Sequence, residues 1–200
     1  MDLSRALERF ATTPILYLDP VTGDWEDTGL CGSLQVYDRF ITDRAFGQKK
    51  RVLNLPAGDP LPEEYGNFCL EGGAANYILE SLNEDVRNGE AYGYSYLLRV
   101  ASVEAQVIAD VTEELSSGAS AITGEEVIET HWIDVERYRS ENSKTFDDVE
   151  YTTSTLSLPG IATVDVSHKI RLVESGDVYT VSEVFDSLKL TVVRGMLAGV

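Results

Sequence analysis

The residues best suited to chemistry are few and scattered. His131 and His168 are the only histidines in the 200 residues, and Cys31 and Cys69 the only cysteines. A zinc site needs such ligands in closely spaced pairs, and neither a CxxC nor a paired His spacing occurs. The two cysteines read as reduced thiols. His131 stands beside Trp132, and His168 occupies an inward slot of an alternating segment, so both read as packed, hydrogen-bonded histidines. GYSYL (93–97) lacks the second glycine of a nucleophile elbow, and no GxxxxGK or GxGxxG phosphate loop is found. A Ser-His-Asp set meets in space, so spacing neither reveals nor excludes one. Gly72-Gly73 reads as a break before a helix.

Carboxylates are more plentiful. Asp19, Asp24, Glu26 and Asp27 surround one turn and offer the oxygens a calcium ion wants, without the spacing of a dedicated loop. Asp147, Asp148 and Glu150 form a second group in a polar stretch, read as solvated loop; with a metal they would suit a hydrolase. Gln48-Lys49-Lys50-Arg51 is the only basic run. Lys49, Lys50 and Arg51 are candidate contacts with an acidic neighbouring subunit, the alternative being a solvated strand entry. No catalytic, metal or cofactor-binding residue is assigned, and the expectation is a protein without enzymatic turnover.

The charge balance narrows the partners. Thirty-four acidic residues against 16 basic ones give a formal net charge of -18. Such a surface keeps a protein soluble, repels nucleic-acid phosphates and disfavours anionic membranes. No apolar run approaches the roughly 18 residues a membrane helix needs. MDLSRALERF is amphipathic without the apolar middle of a signal peptide, which predicts cytoplasmic synthesis.

The elements that would position these residues are mainly strands. Leu3, Ala6, Leu7 and Phe10 predict a short helix over 2–10. ILYL (15–18), the turn DPVTGD (19–24), a return side opening at Trp25 and the strand-like SLQVYDRFI (33–41) suggest a small antiparallel meander. NLPAGDPLPEEYG (54–66) reads as an irregular, proline-rich connection and marks the start of an insertion. Ala75, Ile78, Leu79, Leu82 and Val86 predict a helix over 74–87, stopped at Asn88-Gly89. RVASVEAQVIADVTEEL (99–115) fits both periods, and its valines favour a strand. SSGAS (116–120) then turns it into VIETHWIDVERY (127–138), a long hairpin arm within 94–138. YTTSTLSL (151–158) is strand-like up to Pro159-Gly160. Val164, Val166, His168, Ile170 and Leu172 alternate as one face of a strand, followed by strands carrying Tyr179 and Val181, then Leu188, Leu190 and Val192. No internal repeat stands out. The resulting expectation is a mainly β (α+β) chain: an antiparallel β-barrel or sandwich core from 1–53 and 150–200, with an insertion over 54–149.

SGDVYTVSEVFD, followed by LKLTVVRG, resembles the carboxyl end of head-closure (stopper) proteins in the necks of long-tailed bacteriophages. Tyr179 after Gly176, the pair Val181 and Val184, and the Asp186 turn carry the match. ILYLDPVTGDWEDTG resembles their opening hairpin. Most members are much shorter, so 54–149 departs from the pattern. The resemblance implies a virion protein made in the bacterial host cytoplasm, a homo-oligomeric ring of twelve or six copies. It would contact portal or adaptor and tail proteins, with double-stranded DNA passing through and no membrane involved. Collar and tail-terminator roles belong to the same class, and a soluble bacterial binding module using Trp25, Tyr17 and Tyr37 is the alternative. Within a ring, Met196, Leu197 and Val200 become candidate assembly contacts, because an apolar end of chain docks readily on a neighbour.

Overall fold

Ile15 turns into the core from the first strand, β1 (Thr13–Leu18), with Tyr17 packed beside it, and Asp19 ends it. The Asp19 carboxylate accepts hydrogen bonds from the Val21 and Thr22 amides at 2.8 and 3.2 Å, and Gly23 takes the left-handed conformation that closes the turn. β2 (Trp25–Val36), β3 (Lys50–Pro56), β4 (Asn67–Leu70), β5 (Asn76–Arg87) and β6 (Glu90–Ala101) follow. They pair in the order β1-β2-β3-β6-β5-β4, and β4 returns to β1 to close a six-stranded barrel. Ile15, Leu53, Leu55, Phe68, Tyr77, Leu79, Tyr96 and Leu98 fill it. This computed structural model describes residues 9–36, 50–56, 58, 61, 66–87, 90–114, 118–138, 153–186 and 190–197.

After Ser102 the chain builds a second barrel. β7 (Val103–Glu114), β8 (Ser120–Tyr138), β9 (Thr153–Pro159), β10 (Lys169–Leu172), β11 (Val178–Asp186) and β12 (Leu190–Leu197) close in the order β7-β8-β9-β12-β11-β10. Val107, Ile133, Leu156, Leu158, Ile170, Leu172, Tyr179, Val181 and Val193 form its core. Each such buried side chain contributes about 1.5–3 kcal/mol. A closed barrel also leaves no open sheet edge within its wall.

The two barrels are the same fold written twice. The strand order of the second is that of the first, strand for strand. Register extends the match to residues: Leu53 and Leu55 on β3 correspond to Leu156 and Leu158 on β9, each strand ending in proline. Phe68 and Leu70 correspond to Ile170 and Leu172, and Tyr77 to Tyr179, both tyrosines being buried. Even an irregularity recurs. β5 shifts register at Glu80, between Leu79 and Ser81, and β11 shifts at Ser182, between Val181 and Glu183. The repeat escapes a reading of the sequence because a barrel dictates only alternate positions, while the connections differ in length.

Several expectations are corrected. The helix expected over 74–87 is instead strand β5 from Asn76 onward: its register shifts at Leu79/Ser81 and Asp85/Val86 break the twofold alternation, and Ile78 is buried on the outer face of its barrel. Those two effects space the apolar residues as a helix would. In place of a core from 1–53 and 150–200 with an insertion over 54–149, strand pairing divides the chain at Ser102. Residues 33–36 continue β2, so they start no new strand. The strand expected to include Val164 and Val166 is confined to Lys169–Leu172, and Val166 is exposed. Leu190 and Val192 do lie in a strand, β12, whose inward residues are Thr191 and Val193, while Leu188 lies outside the described residues. Within 99–115, residues 103–114 form β7 and pair with β8 in a long hairpin, while 99–101 end β6 of the first barrel and Leu115 lies outside the described residues, so the arm expected over 94–138 begins only at Val103. The helix expected over 2–10 lies outside the described residues except for Arg9 and Phe10, which are helical and exposed.

Candidate functional site

Antiparallel partners project to the same side of a sheet, and on barrel 1 one such row faces barrel 2. Asn67, Ile78 and Arg99 stand side by side across β4, β5 and β6, pointing away from their own core. Glu80, two residues after Ile78 and at the β5 bulge, lies on the same side. One of its carboxylate oxygens accepts from Arg99 Nε and the other from Lys50 Nζ, both at 2.7 Å. The Arg99 guanidinium then crosses the seam to Asp134 at 3.2 Å and Glu136 at 3.5 Å on β8. Asp134 is 2% exposed and Arg99 15%. Burial works against the Arg99 charge, but the hydrogen bonds and fields of Glu80 and Asp134 outweigh it and hold the group firmly protonated.

Neutral contacts fix the same seam. Buried Asn67 donates from Nδ2 to the Trp132 carbonyl at 2.7 Å, and its Oδ1 accepts the Trp132 amide at 3.0 Å. An asparagine side chain thus stands in for the peptide of a neighbouring strand. The Thr130 amide donates to the Pro20 carbonyl, and the Ser102 amide to that of Ile133. Gly66 packs so tightly that an added Cβ would lie 2.7 Å from Pro159 Cβ.

His131 and Glu129 face the interior of barrel 2, opposite Ala105 and Val107. His131 Nε2 lies 2.9 Å from Glu129 Oε2, which also accepts the Thr163 amide at 2.9 Å. Burial would raise the Glu129 pKa, but bonds from His131 and Thr163 overcome it and bring it to about 2. This carboxylate is held ionised at the barrel mouth, poorly suited to give or take a proton near neutrality.

The distal part of β7 and β8 leaves the barrel. β10 pairs with β7 only as far as Ile108, and β9 with β8 only from Asp134 onward. Among the described residues, 109–114 and 120–127 therefore pair with nothing but each other. This two-stranded ribbon exposes Val111, Ile122 and Val127 among Glu113, Glu114, Glu125 and Glu126. Its root is tied to β10, where Asp110 and Glu125 bind Lys169 and Glu125 also binds Arg171.

The residues singled out by sequence fall in varied places. Lys50 is held by Glu80 at the seam, and Arg51 donates to the Lys50 carbonyl. Met196 and Leu197 lie in β12, 41% and 37% exposed. Lys49, Val200, Tyr37, Asp147, Asp148 and Glu150 lie outside the described residues. Asp19 caps its turn, Glu26 accepts the Tyr17 hydroxyl and Asp27 accepts the Gly29 amide, so this acidic group is spent on structure. No group of three metal-ligating side chains occurs among the described residues. His168 accepts the Asp165 amide in a turn. Cys31 and Cys69 are free thiols on the strands either side of β1, and burial pushes the Cys69 thiol up. Among the described residues no helix is long and apolar enough to cross a membrane.

Sequence reasoning missed Asn67, Arg99 and Asp134. The available signal was a lone charge inside an apolar strand: Arg99 between Leu98 and Val100, and Asp134 between Ile133 and Val135. No protein-family model, no curated protein and no solved structure matches this chain.

Proposed function

We propose that this protein is a structural subunit that works by assembling with copies of itself, as a ring component in the neck of a tailed-bacteriophage particle. The observation that carries the reading is the ribbon of 109–114 and 120–127, which leaves the barrel with both edges unpaired among the described residues. A monomer has no use for such a ribbon, since two strands alone are marginally stable and their open edges invite pairing. Its exposed valines and isoleucine give a neighbour apolar surface, and its four glutamates discourage indiscriminate stacking.

The phage context rests on the resemblance of the carboxyl-terminal strands and opening hairpin to neck proteins. A net charge of -18 suits a ring through which DNA slides, because each cationic contact would hold a phosphate by counterion release. A tail-terminator ring uses the same properties.

The test is the mass of the purified chain by analytical ultracentrifugation, beside a variant whose ribbon is cut back by replacing 112–122 with a two-residue turn. The full chain should form a defined oligomer, and the shortened one should stay folded with weakened assembly. A full-length chain that stays monomeric at high concentration, and that antibody labelling does not find in phage particles, refutes the reading.

A further inference from the structure

The duplication makes the seam a template for a second interface. Within the chain, barrel 1 presents Asn67, Ile78 and Arg99, with Glu80 at the bulge, to the face of barrel 2 that carries Asp134 and Glu136. Register gives the counterparts. On barrel 2 the row becomes Lys169, Thr180 and Met196, paired across β10, β11 and β12, with Ser182 at the bulge. On barrel 1 the positions of Asp134 and Glu136 are held by Ser33 and Gln35, since Ser33 pairs with Asn54 as Asp134 pairs with Ser157. Both counterpart faces are open in the single chain: Thr180, Ser182, Met196 and Gln35 are exposed and Ser33 is half-buried.

We propose that a second copy of this chain occupies these faces, barrel 2 of one copy seating on barrel 1 of the next as barrel 1 seats on barrel 2 within the chain. Three arguments support it. The first is continuity, because the new contact repeats a geometry the molecule already uses. The second is matched chemistry. Where the inner seam sets Arg99 against Asp134 and Glu136, the outer faces set Met196 against Ser33 and Gln35, so at these positions the cation and its carboxylates disappear together. The third is discrimination. Met196 against Asp134 and Glu136 would bury those carboxylates without the Arg99 charge, and Arg99 against Ser33 and Gln35 would bury a guanidinium without the Asp134 and Glu136 charges. The faces therefore sort themselves, inner with inner and outer with outer. Arg194, two residues before Met196, brings no unpaired charge, because Glu183 binds it at 2.8 Å. Lys169 does not repeat the Asn67 contact, being held by Asp110 and Glu125.

Such a contact joins two different faces, and repetition gives a ring if the rotation closes. A ring of this kind contains twice as many barrels as chains. The inference rests on the assembly reading and adds to it the surface used.

The test transplants the inner chemistry to the outer faces of the full chain. Met196→Arg alone should weaken association by at least about tenfold in sedimentation, because it buries a cation against Ser33 and Gln35. Met196 is partly exposed, so the melting temperature of the dissociated chain should stay unchanged. Met196→Arg with Ser33→Asp and Gln35→Glu should restore association. If Met196→Arg assembles like the parent, or if the triple variant stays as dissociated as the single one, this interface is wrong while the assembly reading survives. A parent chain that never associates overturns both.

Discussion

Replacing Arg99 with methionine removes a guanidinium that reaches across the seam to both Asp134 and Glu136. Two carboxylates then lose the Arg99 charge, one of them 2% exposed, while Glu80 retains Lys50 at 2.7 Å. Breaking a buried ion pair from one side costs about 3–5 kcal/mol. Glu136 is partly solvated and recovers some of this, so the expected loss is about 3 kcal/mol. In a chain of this size that lowers the melting temperature by roughly 6–12 °C. The assay is urea unfolding followed by tryptophan fluorescence, since Trp132 sits on the seam and Trp25 on the first barrel. If the barrels separate before they unfold, the loss appears as an early transition in the Trp132 signal, and the two-state treatment gives way to a three-state one.

The informative comparison adds Asp134→Ser and Glu136→Gln to Arg99→Met, copying the outer faces. Removing the carboxylates removes the charges that Arg99 had offset, so this triple variant should regain most of the lost stability. A cost equal to the sum of the separate substitutions would mean no coupling across the seam. The matched-face reasoning would then fail.

Glu129→Gln should flatten the acid limb of the stability curve. The folded pKa of about 2 lies below the ordinary 4.5, so the parent holds the full contribution above pH 4.5 and loses it as pH falls toward 2. A shift of that size is worth about 3 kcal/mol at most, reduced by solvent screening to about 1; thermal melts between pH 2 and 6 would show the difference vanishing at the acid end. Asn67→Ala should cost about 2–3 kcal/mol by urea unfolding, because the Trp132 amide and carbonyl lose their partners together. Gly66→Ala should cost about 1–3 kcal/mol from crowding against Pro159 and Ile161, measured the same way, with each barrel's core untouched.

Much of the strand content was legible in sequence, and for local reasons. Turn chemistry at Asp19–Asp24 and at Ser175-Gly176-Asp177 is carried by neighbouring residues, with Gly23 and Gly176 supplying the left-handed conformation. The alternation through Ala105 and Val107, and that of Tyr179 and Val181, records a wall with one wet and one dry face. β5 was illegible because two bulges and a second buried face reset its period, and a short window cannot distinguish that from a helical stripe.

The candidate surfaces were less legible still. Lys50 is legible as a charge, but that it answers Glu80 depends on β5 lying two strands away across β6. Met196 is legible as an apolar residue, but its relation to Arg99 exists only through the shared register of two barrels. What the amino-acid order determined by itself was the local alphabet: strands, turns, an acidic exterior and a core of alternating aliphatic residues. Only the tertiary structure decided that these strands close twice in the same order and that one face of each barrel is made to meet the other. Pairing partners lie tens of residues apart, and antiparallel register is set by the whole closed ring of hydrogen bonds, which no single strand encodes.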